Sequence, residues 1–388
     1  MLSFYGLLEA ALLVLNGIAI LNRERFLKKY GFGAQTHSFD AEPGVKTQLT
    51  NLIFAVQTVM RMPLIAINIL VVVFKLTPLM ILFIVGGCSL DCERGANNSI
   101  ETIRLEEKDG QVNLIQENWD HLTVPRRSPS VFSHTNGSLL VFGGCESPGK
   151  HLNSLEAVRK GERPIFESLQ ELEEHSCAAY CTLGGEEGIV VGGFNGPDCL
   201  KQVAIVDLES HRVRKLSDFC SRLKNSVALP VDSNTILLIG GWDEKETSKV
   251  VFRLEFDQNR DNYYWKMFCL LPYPVEGHGA VLYQHFVFIV GGYDGIHVRK
   301  TVVRLDLKSG QKEVLSLGLE CARENHVCAL LLEKYLVVAG GWDGQKALDS
   351  IEVFKIIDVE PFLERIPDSF NLFESRNRPG AVVSQGLD

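Results

Sequence analysis

The chain of 388 residues has no excess of positive charge. Its 39 Lys and Arg are outnumbered by 48 Asp and Glu, which gives a formal net charge of −9. An acidic balance provides no electrostatic footprint for DNA or RNA, so we expect no nucleic acid partner. Charged residues make up 22% of the chain, close to the globular average of about 25%, which argues against a disordered protein. The mean hydropathy of +0.06 is high for a purely soluble protein and indicates a membrane segment.

The sequence also lacks the motifs of common enzyme classes. None of its glycine pairs is followed by the Lys-Ser/Thr of a phosphate-binding loop, and no GxSxG occurs. The close cysteine pairs Cys88/Cys92 and Cys177/Cys181 have no second half at zinc-site spacing. His134, His278 and His326 fall at similar points of a repeat, which favours structural roles. We therefore expect no enzyme activity, no cofactor or metal, and no small-molecule substrate.

Charge and cysteine divide the chain near residue 75. Residues 1–75 hold seven Lys and Arg against four Asp and Glu, so this part carries +3 and the remainder −12. All ten Cys lie at position 88 or later. Both observations predict two unlike parts, residues 1–75 and 78–388.

The first part begins with the apolar stretch 4–21, which has a single charge and is long enough to span a membrane as a helix. A buried core helix is the alternative. Four basic residues follow directly and, by the positive-inside rule, set the topology with this flank in the cytosol. They are Arg23, Arg25, Lys28 and Lys29.

Two further segments complete the first part. Residues 46–61 carry apolar side chains at helical spacing, which predicts an amphipathic helix on a membrane or a partner, or an ordinary solvated helix. Residues 62–77 are apolar and either cross the membrane fully or form a re-entrant segment. A full crossing puts the rest of the chain in the lumen, whereas a re-entrant segment leaves it in the cytosol.

Residues 1–74 resemble the immediate early response 3-interacting protein 1 family, the Yos-type small membrane proteins. The resemblance rests on LLEAALLVLNGIAILNRERFLKKYGFG and EPGVKTQLTNLIFAVQTVMRMPLIAIN. It implies a two-pass protein of endoplasmic reticulum and Golgi membranes that supports vesicle transport between them, without catalysis. The family ends soon after its second apolar segment, whereas this chain continues for over 300 residues.

The second part repeats a glycine pair with a mean spacing near 51 residues. A β-branched or aromatic run precedes each pair, and a turn and a second apolar strand follow most of them. The pairs are Gly86-Gly87, Gly143-Gly144, Gly192-Gly193, Gly240-Gly241, Gly291-Gly292 and Gly340-Gly341.

This repeat resembles the kelch family, although only Trp119 and Trp265 supply the tryptophan that the family carries late in a repeat. The resemblance implies a mainly β fold, a six-bladed kelch-type β-propeller preceded by the α-helical membrane module. Residues 379–384 match the runs that precede the glycine strands, so we expect the C-terminus to supply the innermost strand of the first blade. Its neighbour would be Leu79–Val85, which then cannot be the end of a membrane helix.

Three aromatic-acidic pairs after the glycines are candidates for partner binding on one face of the ring. The alternative is that they cap turns and pack between blades. The pairs are Trp242-Asp243, Tyr293-Asp294 and Trp342-Asp343.

We expect a membrane-anchored, non-enzymatic protein of endoplasmic reticulum and Golgi membranes, with the propeller as a platform for protein partners. One alternative is a kelch-type adaptor that recruits substrates, for example to a ubiquitin ligase. No BTB-like or F-box-like segment precedes the propeller, which weakens that alternative. Another is that the chain joins the products of two neighbouring genes.

Overall fold

A computed structural model describes residues 80–89, 95–169, 172–183, 186–257, 260 and 262–385, all within the compact unit Leu79–Asp388. The predicted membrane segments 4–21 and 62–77, the predicted helix 46–61 and the basic flank lie outside the described residues. Within the described residues, no helix has the length and apolar character needed to cross a membrane.

The described residues form a mainly β six-bladed propeller, as predicted. Each blade is an antiparallel sheet of four main strands, numbered here from the axis outward. Blade one consists of β27 (Gly380–Gln385), β1 (Met80–Val85), β2 (Ser99–Lys108) and β3 (Gln111–His121). Blade two consists of β4 (Ser130–Ser133), β5 (Leu139–Phe142), β8 (Ser154–Val158) and β9 (Ile165–Ser168), with a small hairpin of β6 (Cys145–Ser147) and β7 (Lys150–His151).

The other four blades follow in chain order. Blade three consists of β10 (Ala179–Leu183), β11 (Glu187–Val191), β12 (Val203–Asp207) and β13 (Val213–Lys215). Blade four consists of β14 (Val227–Asp232), β15 (Thr235–Ile239), β16 (Val250–Phe256) and β17 (Tyr263–Leu270). Blade five consists of β18 (Gly279–Tyr283), β19 (Phe286–Val290), β20 (Val302–Asp306) and β21 (Lys312–Val314). Blade six consists of β22 (Val327–Leu331), β23 (Tyr335–Ala339), β24 (Ser350–Ile356) and β25 (Leu363–Arg365), and β26 (Phe370–Asn371) also pairs with β24.

Blade one is closed by strands from two distant parts of the chain. β27 pairs antiparallel with β1 from Met80↔Gln385 to Val85↔Gly380. The prediction that the C-terminal segment supplies the innermost strand is therefore confirmed. Residues 80–85 form a strand, not the end of a membrane helix. Closure leaves no unpaired inner edge in the ring.

Six apolar clusters fill the spaces between neighbouring blades. One of them joins Phe83 and Val85 of blade one to Val131 and Val141 of blade two. The same arrangement recurs at the other five interfaces. Because the second strand of each blade is covered on both sides, it reads as a continuous apolar run in the sequence.

The glycine pairs end these second strands in a conformation that favours glycine. All twelve glycines have φ between 57° and 113°. The second glycine of each pair donates its N–H to a carbonyl at the next blade, as Gly341 does to Arg376 at 2.7 Å. A Cβ on Gly341 would lie 2.7 Å from the carbonyl oxygen of Glu324. The pairs therefore serve both the local turn and the joint between blades.

A closed ring of backbone hydrogen bonds surrounds the axis. One residue from each blade, just before its innermost strand, has φ between 49° and 58°. Each donates its N–H to the carbonyl oxygen of its counterpart in the preceding blade, at 2.6–3.2 Å. The six members, called the axial ring here, are Ser128, Cys177, Asn225, Gly277, Asn325 and Arg378. Arg378 closes the ring between blades six and two, so closure again depends on the C-terminal segment.

Buried arginines stabilise three adjacent blades. In blade six, Arg323 donates to the carbonyls of Gly340 and Ser350, to the Ser350 hydroxyl and to the Glu352 carboxylate, the last at 2.7 Å. Equivalent sets lie in blades one and two. Their members are Arg376, Ser99 and Glu101, and Arg126, Ser154 and Glu156. Since the carboxylates are almost fully buried, these pairs fix the blade geometry.

Candidate functional site

The predicted aromatic residues lie at one end of the propeller axis. Each follows a glycine pair and forms an isolated antiparallel bridge with the residue just before the axial ring. The bridged pairs are Trp242 with Lys224, Tyr293 with Glu276, and Trp342 with Glu324. We call this end the mouth. All three aromatic side chains are half-buried there.

Blade three contributes a fourth aromatic residue that the sequence reasoning did not single out. Phe194 bridges Ser176 at the equivalent position. The signal was present, because Phe194 also follows a glycine pair and begins the turn FNG. Blades one and two have Cys88 and Cys145 there instead, so the aromatic residues cover only blades three to six.

The three aspartates act within their own turns. Asp243 accepts hydrogen bonds from the N–H groups of Lys245 and Glu246 at 3.0 and 2.9 Å. Asp343 accepts from Gln345 and Lys346 in the same way. Asp294 accepts from Ile296 and His297 and also pairs with Arg299. These contacts match the turn-capping alternative for the aspartates, while partner binding by the aromatic residues stays a prediction.

Charges of opposite sign occupy different sectors of the mouth. Arg127, Lys224 and Arg378 line a cavity of about 540 Å³ beside blades two to four. Glu276 and Glu324 line a neighbouring cavity of about 260 Å³, which Lys224 and Arg378 also border. Burial raises the pKa of Glu324; Arg378 opposes this shift and Glu276 adds to it. The mouth therefore presents a cationic sector and an acidic sector side by side.

Below the axial ring lies a cavity of about 240 Å³, walled by the innermost strands. Tyr180 crosses from blade three to blade one, where its hydroxyl group hydrogen-bonds the backbone of Ala381. Burial raises the pKa of Tyr180 to about 12, so it stays neutral. His278 and His326 are buried in the wall, and burial lowers the pKa of His278 to about 3. Both imidazoles are therefore neutral at physiological pH, as the predicted structural role requires.

Among the described residues, one His-Glu-Glu group has the spacing of a metal site: His134, Glu186 and Glu209. The Nδ1 atom of His134 accepts the N–H of Asn136 at 3.2 Å. Neutral His134 therefore carries its proton on Nε2, which lies 3.0 Å from the Glu209 carboxylate. A protonated nitrogen cannot bind a metal, so this group fits a histidine-carboxylate hydrogen bond.

Comparison with solved structures supports the fold. The chain is similar to the structure of YjhT, with a TM-score of 0.57 over 74% of this chain and 97% of that one. At 14% identity, this likeness shows the propeller fold alone.

Comparison with known sequences concerns residues 4–78, which match the family model described as Yos1-like. Immediate early response 3-interacting protein 1 of Homo sapiens is 51% identical over 76 residues, 19% of this chain and 93% of that protein. Protein transport protein yos1 of Schizosaccharomyces pombe is 41% identical over 78 residues, 20% of this chain and 96% of that protein. Protein transport protein YOS1 of Saccharomyces cerevisiae is 45% identical over 69 residues, 17% of this chain and 81% of that protein. Through residues 4–78, the chain therefore belongs to the Yos1-like family.

Proposed function

We propose that this chain is a non-enzymatic protein transport factor of endoplasmic reticulum and Golgi membranes. The observation that carries the proposal is 51% identity over 93% of immediate early response 3-interacting protein 1. The two yeast relatives are named protein transport proteins. In this proposal, residues 4–21 and 62–77 hold the chain in the membrane, and the basic flank at Arg23, Arg25, Lys28 and Lys29 sets its topology.

The propeller, in the same proposal, is of kelch type and serves as a rigid platform for a protein partner. Its mouth supports this role, because four half-buried aromatic side chains surround the axis there. Aromatic residues anchor protein interfaces since they supply a large contact area at a small cost in side-chain entropy. The members are Phe194, Trp242, Tyr293 and Trp342.

The transport role is tested by rescue of Saccharomyces cerevisiae cells depleted of YOS1. Three forms are expressed: the full chain, residues 1–78 and residues 79–388. We expect the full chain and residues 1–78 to restore the exit of a glycoprotein cargo from the endoplasmic reticulum, whereas residues 79–388 do not. Failure of a membrane-localised full chain, expressed at the level of the yeast protein, would contradict the proposal.

The side of the membrane that the propeller occupies is tested by protease protection of intact microsomes with a tag at Asp388. A protected tag indicates a full crossing by 62–77, and a digested tag indicates a re-entrant segment. Asn136 gives an independent readout, because it begins an Asn-Gly-Ser acceptor sequence and is exposed on the propeller. A glycan at Asn136 requires a lumenal propeller.

A further inference from the structure

The cationic sector of the mouth brings several hydrogen-bond donors to one cavity. Lys224 lies between two aromatic rings, with its Nζ 4.2 Å from the ring centroid of Phe194 and 4.5 Å from that of Trp242. Arg378 donates from Nη1 to the Sγ of Cys177 at 3.2 Å. Both side chains are half-buried and line the same cavity of about 540 Å³. Their positive charges therefore face a common space that excludes part of the solvent.

The other described walls of this cavity add donors and no negative charge. Arg127 approaches the Sγ of Cys145 at 3.6 Å, and His151 contacts the hydroxyl of Ser176 at 3.1 Å. No Asp or Glu is among the described residues that line the cavity. In a chain with a net charge of −9, this local composition is distinct from the surface as a whole.

Cys177 reports the electrostatic potential of the cavity. Burial by itself raises the pKa of this thiol, yet Arg378, hydrogen bonds from Ser128 and Ser176, and Lys224 together bring the pKa below its usual value. Cys199, a short distance along the chain, shows the opposite behaviour, since burial raises its pKa to about 11. The potential at Cys177 therefore favours an anion.

We propose that this cavity binds an oxyanion group, of which a carboxylate is the type, between Lys224 and Arg378 and beside Cys177. A guanidinium and an ammonium group supply the directed donors that a carboxylate needs. The two aromatic rings hold Lys224 in place, so little side-chain entropy is lost when the anion binds. The carboxylate can belong to a free organic acid or to an acidic side chain of a protein partner.

The site is tested by alkylation of Cys177 in the purified full chain, followed by mass spectrometry of its peptide. Iodoacetate is anionic and iodoacetamide is neutral, so the ratio of their rates measures the local preference for an anion. We expect the ratio at Cys177 to exceed that at the exposed Cys220 by about tenfold at low salt, with a decline as salt is added. Equal ratios at the two thiols would overturn the proposal.

Variants and competing anions then locate the site and its source. Lys224→Gln and Arg378→Gln should each lower the ratio at Cys177, whereas Lys249→Gln, at an exposed position, should leave it unchanged. Thermal unfolding of each variant identifies any general loss of structure. Succinate or a Glu-rich peptide should protect Cys177 with saturation, whereas chloride at equal ionic strength should not. Saturation by succinate indicates a free acid as the source, saturation by the peptide alone indicates a protein partner, and protection no better than that of chloride contradicts the site.

Discussion

The hydroxyl group of Tyr180 accepts a hydrogen bond from the backbone N–H of Ala381 at 2.8 Å and donates one to the Ala381 carbonyl oxygen at 3.0 Å. The two residues are 201 positions apart in the chain. Tyr180 lies on the innermost strand of blade three and Ala381 on the C-terminal strand of blade one, so this contact passes over blade two. It ties the last strand of the propeller to a blade with which it shares no sheet.

Tyr180→Phe should destabilise the propeller by about 1–3 kcal/mol, because two backbone groups of Ala381 lose their partner in a buried channel. All four tryptophans of the chain lie in the propeller, so tryptophan fluorescence during urea unfolding reports on this part alone. Tyr264→Phe is the matched control, since Tyr264 is exposed on the outer strand of blade four. Equal stability of the two variants would contradict the role assigned to Tyr180.

Gly341→Ala should be more destabilising than Gly310→Ala by about 1–3 kcal/mol in the same unfolding measurement. Both glycines have positive φ, 99° and 71°, so both substitutions strain the backbone. Only at Gly341 does a new Cβ also meet a carbonyl, that of Glu324, whereas the space around Gly310 is open. If the two variants lose the same stability, the glycine pairs serve the turn alone and not the joint between blades.

Arg323→Met should cost about 3–5 kcal/mol of unfolding free energy, because it leaves Glu352 buried with one of its cationic partners removed. Arg104→Met removes an exposed pair with Glu106 and should cost about 1 kcal/mol or less. Arg365 also pairs with Glu352 and retains part of the compensation. A loss at Arg323 no larger than that at Arg104 would show that the buried pair does not hold blade six together.

The buried imidazole of His278 predicts a loss of stability in acid. Its pKa is about 3 in the folded protein and about 6.5 in the unfolded chain, so only the unfolded chain takes up the proton between these values. Its contribution is fully present above about pH 6.5 and falls by about 1.4 kcal/mol per pH unit as the pH drops toward 3.

His278→Leu should remove that contribution, so the slope of unfolding free energy between about pH 6 and pH 4 becomes shallower by about 1.4 kcal/mol per unit. His297→Leu, at an exposed position, should keep the original slope. An unchanged slope in the His278 variant would mean that its imidazole is solvated in the folded state.

Local sequence patterns predicted the blades because their causes are local. Gly340-Gly341, the turn after it and Ser350–Ile356 lie within one repeat, and strand β24 has the predicted bounds. Closure was also predictable, since Gly380–Gln385 resembles the innermost strands of other repeats. Each of these features depends on periodic burial or on turn chemistry, which adjacent residues express.

Contacts that span the ring were not predicted. Arg376 and Glu101 meet only after the last strand has joined blade one, so no local window contains both. A signal did exist: Ser-x-Glu recurs after three glycine pairs, at 99–101, 154–156 and 350–352. The cationic cavity at the mouth was missed for the same reason, because Lys224 and Arg378 come from different blades.

The central claim is that one polypeptide unites a Yos1-like segment with a six-bladed propeller. It is tested most directly by immunoblotting native membranes with two antibodies, one against residues 33–45 and one against the propeller. The account predicts that both antibodies detect a single band near 43.2 kDa that stays with the membrane after carbonate extraction. Two separate smaller bands, each seen by one antibody, would contradict it and would show that the two parts are distinct proteins.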